Sequence, residues 1–348
     1  MSMSTRKNPA ILLVTTAAAL TLVLSGCSGN DTTDPAAEPP GSENILGSVE
    51  TKYGTVDVPA PADGEELRVV ALGWSDGEVA LSLGVKPVAI LDWQSHGEEN
   101  NGVGSWIADD FGDTEVELIE RGDESLNYEQ IQSLDPDVIL NVRAAFDDQA
   151  YERLSEIAPT IQATEGTPDY AVNWRDHTRT IAQGLGKVEE GEAQVAELDE
   201  KIADIKDEHP QFDGVELVSG SKFGDAYGAS LPGDARFDLY GDLGFVLDAE
   251  IAELPSPDGF FAAVSVEQVE AMDSDIAVLT TIGYPIEDLE NDALINSLDV
   301  VKDGRAIIVD PESDIMAGTT AGTVPSLSIA LDQVVPELED VVAKLENN

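Results

Sequence analysis

Arg143 and Lys222 stand where a cation is costly. Arg143 follows the apolar run Asp137-Val138-Ile139-Leu140, and Lys222 lies just beyond Val215-Glu216-Leu217-Val218, in a chain with 18 basic residues against 69 acidic ones. A charge drawn toward a buried strand needs a partner, in the fold or in a ligand, and the argument is strongest for Arg143. Aromatic residues occupy equivalent places. Trp74 follows Arg68-Val69-Val70-Ala71-Leu72, Trp93 follows Pro87-Val88-Ala89-Ile90-Leu91, Phe223 and Tyr227 accompany Lys222, and Tyr284 follows Thr280-Thr281-Ile282-Gly283. In open α/β sheets ligands sit beyond the carboxyl ends of the strands, so Trp74, Trp93, Arg143, Lys222, Phe223, Tyr227 and Tyr284 are the ligand-contact candidates. Trp106, Tyr170, Trp174 and Phe260, on less regular segments, stand behind them.

Signatures of catalysis are missing from the sequence. It has no G-x-S-x-G elbow, no H-E-x-x-H, no P-loop and no C-x-x-C. His96, His177 and His209 are far apart, and His177, beside Arg175 and Arg179 on an expected helix, reads as a surface residue. The Asp-rich stretches lack the order of a calcium loop. No catalytic residue and no local metal-ligand set is assigned, although two histidines could still meet carboxylates in space.

The elements that must position these residues are legible as an alternation of short apolar runs with helical stretches. Trp74 leads into the helical run Glu78-Val79-Ala80-Leu81-Ser82-Leu83, stopped at Gly84, and Tyr128 to Leu134 makes a further short helix. The same plan starts again after residue 211, with later strands at Ile276-Ala277-Val278-Leu279 and Ala306-Ile307-Ile308-Val309. A phrase is shared: Tyr128-Glu129-Gln130-Ile131 before one strand is echoed by Val266-Glu267-Gln268-Val269 before another. Alternating strands and helices predict mainly parallel sheets covered on both faces, hence an α/β protein of two similar lobes. Between them Val188, Val195, Leu198, Ile202 and Ile205 form one stripe on a helix from about Val188 to Glu208, stopped by Pro210. At 1.5 Å per residue it is roughly 30 Å long, enough to join two lobes stiffly. A preceding helix from about Asp176 ends in the cluster Gly184, Gly186 and Gly191.

At the amino end, Arg6 and Lys7 precede an apolar run from Ile11 to Leu24 that is shorter than the roughly 20 residues of a membrane span. It closes on Leu24-Ser25-Gly26-Cys27, and Cys27 is the only cysteine. A lone thiol in an exported chain has no disulfide partner, so this reads as a lipobox whose cysteine carries a diacylglyceryl anchor. The expected organisation is a signal peptide over 1–26, a flexible tether over 27–50, a lobe over 51–175, connecting helices over 176–210 and a second lobe over 211–348. Ser28 to about Asn44, with Pro39-Pro40-Gly41, has the tether composition. The formal charge is −51, and loss of Arg6 and Lys7 with the signal leaves 16 basic residues and −53. Nucleic acid and anionic lipid surfaces are repelled by such a chain, and the spread of the acids reads as a solvated surface suited to a saline or alkaline exterior.

Phrases along the chain carry a resemblance. Gly54-Thr55-Val56-Asp57-Val58-Pro59, Arg68 to Leu72, Leu83-Gly84-Val85-Lys86-Pro87-Val88, Leu134-Asp135-Pro136-Asp137-Val138-Ile139-Leu140 and Tyr151 to Thr160 are followed by Leu243-Gly244-Phe245, Val264-Ser265-Val266-Glu267 and Asp303-Gly304-Arg305-Ala306. In order and spacing they resemble the periplasmic-binding family for ferric siderophores and vitamin B12, from about residue 52 to the C-terminal helix. The resemblance implies two Rossmann-like lobes bridged by one long helix, a shallow cleft that closes modestly, and delivery of its cargo to a permease and ATPase complex of the ABC importer type. It also implies that one glutamate on each lobe docks with permease arginines; the matching positions are Glu129 and Glu267. The expected protein is an extracytoplasmic, lipid-anchored, monomeric binding protein without enzymatic activity or cofactor. It would sit on the outer face of the cytoplasmic membrane, touching that membrane only through Cys27.

The implied cargo is an iron(III)-siderophore chelate, with aromatic faces on its apolar rim and Arg143 or Lys222 on the negative oxygens around the metal. The charge of −53 disfavours a strongly trianionic chelate, which points to hydroxamate or mixed carboxylate siderophores. Haem or a corrinoid on the same fold, a lipid-anchored surface hydrolase and a ligand-free surface lipoprotein are the competing readings.

Overall fold

Ile45–Thr51 (β1) and Gly54–Pro59 (β2) pair as an antiparallel ribbon at the start of the computed structural model, which describes residues 44–119, 126–257 and 259–345. Cys27, the expected signal peptide and the first part of the tether lie outside the described residues. The tether expected to reach residue 50 ends earlier, because β1 begins at Ile45. Val49 on β1 is buried and Gly47 passes so close to the Gln183 and Gly184 carbonyls that any side chain there would collide with them.

Two separate sheets follow. The first has the order β5-β4-β3-β6-β7, all parallel, from Glu117–Ile119 (β5), Ala89–Leu91 (β4), Val69–Ala71 (β3), Val138–Leu140 (β6) and Thr160–Ile161 (β7). Its central strands β4, β3 and β6 are buried on both faces, as their unbroken apolar runs require. Asp76–Ser82 (α1), Tyr128–Ser133 (α2) and Asp148–Ser155 (α3) lie in its connections. Trp174–Gly184 (α4) packs on the same core through Ile181 and Ala182.

Val188–Glu208 (α5) is the long helix predicted from the stripe. Val195, Leu198 and Ile202 are buried in the core of the second lobe, whereas Val188 is 49% exposed, since it opens the helix before the stripe meets that core. Toward its start α5 stays on the first lobe: Gln194 donates to the Ser82 carbonyl at 2.6 Å. One rod thus holds both lobes.

The second sheet runs β11-β9-β8-β12-β13, with β10 beside β8. Its strands are Glu216–Phe223 (β8), Ala226–Ser230 (β9), Val246–Leu247 (β10), Phe261–Val264 (β11), Ile276–Thr281 (β12) and Ala306–Ile308 (β13). β8, β10, β12 and β13 are parallel, while β9 and β11 add antiparallel pairs. The helices are Ala235–Asp242 (α6), Ala249–Ala252 (α7), Glu287–Glu290 (α8), Asp299–Lys302 (α9), Asp314–Ala321 (α10) and Val324–Leu345 (α11). Glu267 lies on a 3-10 turn over Val266–Met272, so the phrase shared with α2 is carried by two kinds of helix. Apolar clusters cover both faces of each sheet.

Candidate functional site

Strand β3 is the middle of the first sheet, flanked by β4 on one side and β6 on the other, so chain order reverses there and leaves a crevice at the carboxyl ends. The residues leaving those three strands converge. The Trp74 amide donates to the Arg143 carbonyl at 2.8 Å, which ties the exits of β3 and β6 together. Trp74 stacks on Trp93 with ring centroids 4.4 Å apart and planes 4° apart, and its ring also meets Tyr170 at 4.3 Å. The Trp93 indole N–H donates to Ser75 Oγ, and Ser75 sits at φ 60° to turn the chain into α1.

Arg143 lies against this stack, its guanidinium carbon 5.8 Å from the Trp74 ring centre and 5.7 Å from that of Trp93. Nε donates to the Tyr170 carbonyl at 3.1 Å, and Nη1 donates to the Thr320 and Ala321 carbonyls at 3.1 and 2.7 Å. The last two are carbonyls of the final turn of α10, the negative end of its dipole. Gly322, at φ 64°, ends α10 there, and a side chain on it would crowd Ala235 and Arg143. Burial pushes the Arg143 guanidinium down to about 10, Asp234 pulls it back up and Arg236 depresses it further, so it remains charged at neutral pH. Nη2 has no partner among the described residues.

The backbone that aims Arg143 is itself held. Asp76 is fully buried and accepts from the Val142 amide at 2.7 Å, the Arg143 amide at 3.2 Å and His177 Nε2 at 2.7 Å. His177 was expected on the surface and is instead 1% exposed. The reason lies in α4, whose inward face carries Trp174, His177, Thr178 and Ile181 at helical spacing while Arg175 and Arg179 point outward to carboxylates. Glu78, also buried, accepts from the Gly104 amide, Trp106 and, from the other lobe, Thr323 at 2.9 Å. Burial outweighs those bonds and holds its carboxyl above the usual range.

The opposite wall comes from the second lobe. Phe223, Asp234, Arg236, Phe260, Phe261, Ile282 and Thr320 line, with Trp74, Trp93, Arg143 and Tyr170, an interlobe cleft of about 440 Å³. Asp234 caps α6 and grips Arg236 by Nε at 2.9 Å and Nη2 at 2.5 Å, leaving Nη1 without a partner among the described residues. A larger hollow of about 1020 Å³ opens behind Trp74 and Trp93 on the first lobe alone. Among the described residues its lining includes Asp92, Glu98, Glu115 and Glu117 and no base, whereas the smaller cleft is lined by Arg143 and Arg236.

Of the candidates from sequence, Trp74, Trp93, Arg143 and Phe223 meet in this cleft, together with Tyr170 and Phe260 from the second rank. Lys222 and Tyr227 do not. Strand β8 continues to Phe223 and turns back into β9, so Lys222 points away from the face that Phe223 presents. There Asp292 accepts from both Lys222 and Tyr227 at 2.6 Å. Tyr284 is 47% exposed beside the Gly224 turn and is not among the lining residues. Trp106 is engaged with Glu78, and Trp174 is buried with its indole N–H donating to Asp242. Glu129 and Glu267 are both exposed, one on each lobe. Sequence reasoning missed Asp234, Arg236, Phe261, Ile282 and Thr320; the one local signal was Pro232-Gly233-Asp234, a turn ending in a helix cap before Arg236.

Among the described residues no cluster of His, Cys, Asp and Glu could hold a metal ion directly, and no helix is long and apolar enough to cross a membrane. Residues 69–313 match the family described as periplasmic binding protein. The chain is 27% identical over 318 residues to the Fe(3+)-citrate-binding protein YfmC of Bacillus subtilis, covering 89% of this chain and 92% of the relative. It is 27% identical over 334 residues to the probable siderophore-binding lipoprotein YfiY of the same organism, covering 90% and 93%. In fold it is similar to the crystal structure of Streptococcus pneumoniae PiaA in complex with ferrichrome, with a TM-score of 0.70, 22% identity and coverage of 85% of this chain and 99% of that one.

Proposed function

The chain belongs to the periplasmic binding protein family, and from that premise we propose that it captures a ferric siderophore in the interlobe cleft and hands it to an ABC importer. The observation that carries this reading is the convergence of Arg143 and Arg236, each with an edge unpartnered among the described residues, on a cavity walled by Trp74, Trp93, Tyr170, Phe223, Phe260 and Phe261. A ferric chelate needs hydrogen-bond donors for its metal-binding oxygens and flat apolar contact for its organic shell. Here the iron is cargo inside its own ligand shell, so the protein supplies no metal ligand. Relatives named as Fe(3+)-citrate-binding and siderophore-binding support capture without chemical change.

Chain residues perform the binding steps. Arg143, preset by three backbone carbonyls, offers Nη2 to a ligand oxygen without losing side-chain freedom on binding. The Trp74 stack gives an apolar platform, and the second lobe closes the other side with phenylalanine rings and Arg236. Hydrogen bonds across the base of the cleft, from Arg143 to α10 and from Thr323 to Glu78, favour limited lobe motion.

Titration of tryptophan fluorescence with a panel of ferric siderophores tests the reading, because Trp74 and Trp93 line the cleft and quench on contact. Absence of response to every ferric siderophore would sink it. The reading extends to anchoring through Cys27, tested by membrane release in Cys27→Ala, and to docking through Glu129 and Glu267. Charge reversal to Lys at either glutamate should abolish iron uptake while leaving chelate affinity within two-fold; uptake that survives in both variants removes the docking assignment.

A further inference from the structure

Among the described residues the cleft lining carries three charged side chains, Arg143, Arg236 and Asp234, and so a single net positive charge, in a chain of formal charge −51. Asp234 is the pivot. Its carboxylate accepts from the Arg236 amide at 2.9 Å, which starts α6, and grips the Arg236 side chain through both oxygens. It also exerts the strongest charge effect on Arg143, in the direction opposite to Arg236. Two guanidinium groups facing one cavity repel each other, and the carboxylate relieves that repulsion while cutting the positive charge offered to a ligand from two to one. The other carboxylates acting on Arg143 are already engaged: Asp76 by two amides and His177, Asp238 by the Gly233 amide at 2.8 Å.

The geometry points to Asp234 as the residue that sets the ligand charge the cleft accepts, favouring neutral or singly charged ferric chelates over trianionic ones. This rests on the proposed capture of a ferric chelate and adds the class of chelate. A neutral complex loses nothing to Asp234, accepts hydrogen bonds from Arg143 Nη2 and Arg236 Nη1, and packs on six aromatic rings. A trianionic complex meets Asp234 in the same wall and the acidic surface on approach.

The test is a fluorescence titration of the full chain with two probes of similar size, a neutral ferric tris-hydroxamate and a trianionic ferric tris-catecholate, at low and high salt. The proteins are wild type, Asp234→Asn and the double variant Asp234→Asn with Arg236→Gln. Asn retains the helix cap; Asp234→Ser, also a cap, serves if the first variant fails to fold by circular dichroism. Wild type should bind the hydroxamate at least ten-fold more tightly. Asp234→Asn should move the ratio at least ten-fold toward the catecholate, less so at high salt, and the double variant, back at one positive charge, should return it toward wild type. The assignment is overturned by wild-type preference for the catecholate, by an unmoved ratio in a folded Asp234→Asn that still binds the hydroxamate, or by a double variant that keeps the single variant's ratio. Wild type that responds to neither probe nor to any other ferric siderophore instead overturns the capture reading itself.

Discussion

On the first-lobe wall of the cleft the cation is held by neutral groups: Arg143 donates to three backbone carbonyls and keeps its whole charge. On the second-lobe wall Arg236 is held by a carboxylate and presents a guanidinium whose charge is largely balanced at source. The aromatic residues differ in the same way. Trp93, Trp74 and Tyr170 form one continuous stack, while Phe223 and Phe261 meet at a tilt with centroids 6.0 Å apart. A preset cation on a preset platform lowers the ordering cost of binding, whereas a balanced cation among looser rings tunes which ligand is accepted. On the proposed capture of a chelate, affinity is expected to belong mainly to the first wall and selectivity to the second.

The largest effect that bears on this division is expected at Arg143. Arg143→Met should weaken chelate binding at least 100-fold in a fluorescence titration, and a loss under three-fold would break the asymmetry. Trp74→Leu should cost about ten-fold, against about three-fold for Phe223→Leu on the facing wall, in line with roughly 0.5–1.5 kcal/mol for an aromatic pair beyond its buried area. Equal losses would show that the stack confers no advantage.

Lys222→Met separates the cleft from its neighbourhood. Affinity should stay within two-fold, while unfolding by urea should show a loss of about 1–2 kcal/mol, because Asp292 loses a partner that is only partly screened by water. Burial works against the Asp292 carboxylate, but its bonds to Lys222 and Tyr227 prevail and hold it below the usual range. The ion pair's contribution is complete above the ordinary aspartate range and is lost as pH falls through the depressed value, so the deficit of the variant should shrink in acid. A tenfold loss of affinity would return Lys222 to the site.

The smallest effect concerns Glu78, which ties the first wall to Thr323. Its carboxyl is raised by burial, so its contribution is greatest below the ordinary glutamate range, about 4.3, and falls as pH rises through the raised value. Melting temperature should decline more steeply between acid and neutral pH in wild type than in Glu78→Gln. Identical slopes would mean that the carboxyl is not perturbed.

Much of the architecture was readable in the residues. Unbroken apolar runs marked the parallel strands, the stripe over Val195, Leu198 and Ile202 marked α5, and strand exits pointed to Trp74, Trp93 and Arg143, which the structure brings together at the cleft. The same rule pointed to Lys222 and Tyr227, which lie off the cleft lining because β8 extends into a hairpin with β9, and alternation along a strand sends Lys222 to the other face. His177 was misread because the arginines on either side of it hid an inward helical face.

Local pattern by itself determined the elements, their order and the lobe-joining rod, since periodicity of burial is a property of neighbouring residues. It also determined that a cation leaving β6 must be compensated, since desolvating a charge is costly wherever the chain goes. Which groups compensate it was decided only by tertiary structure. The Thr320 and Ala321 carbonyls lie some 180 positions away along the chain, Asp234 and Arg236 arrive from the start of α6 in the other lobe, and nothing in the spacing of any of them reveals that they face Arg143.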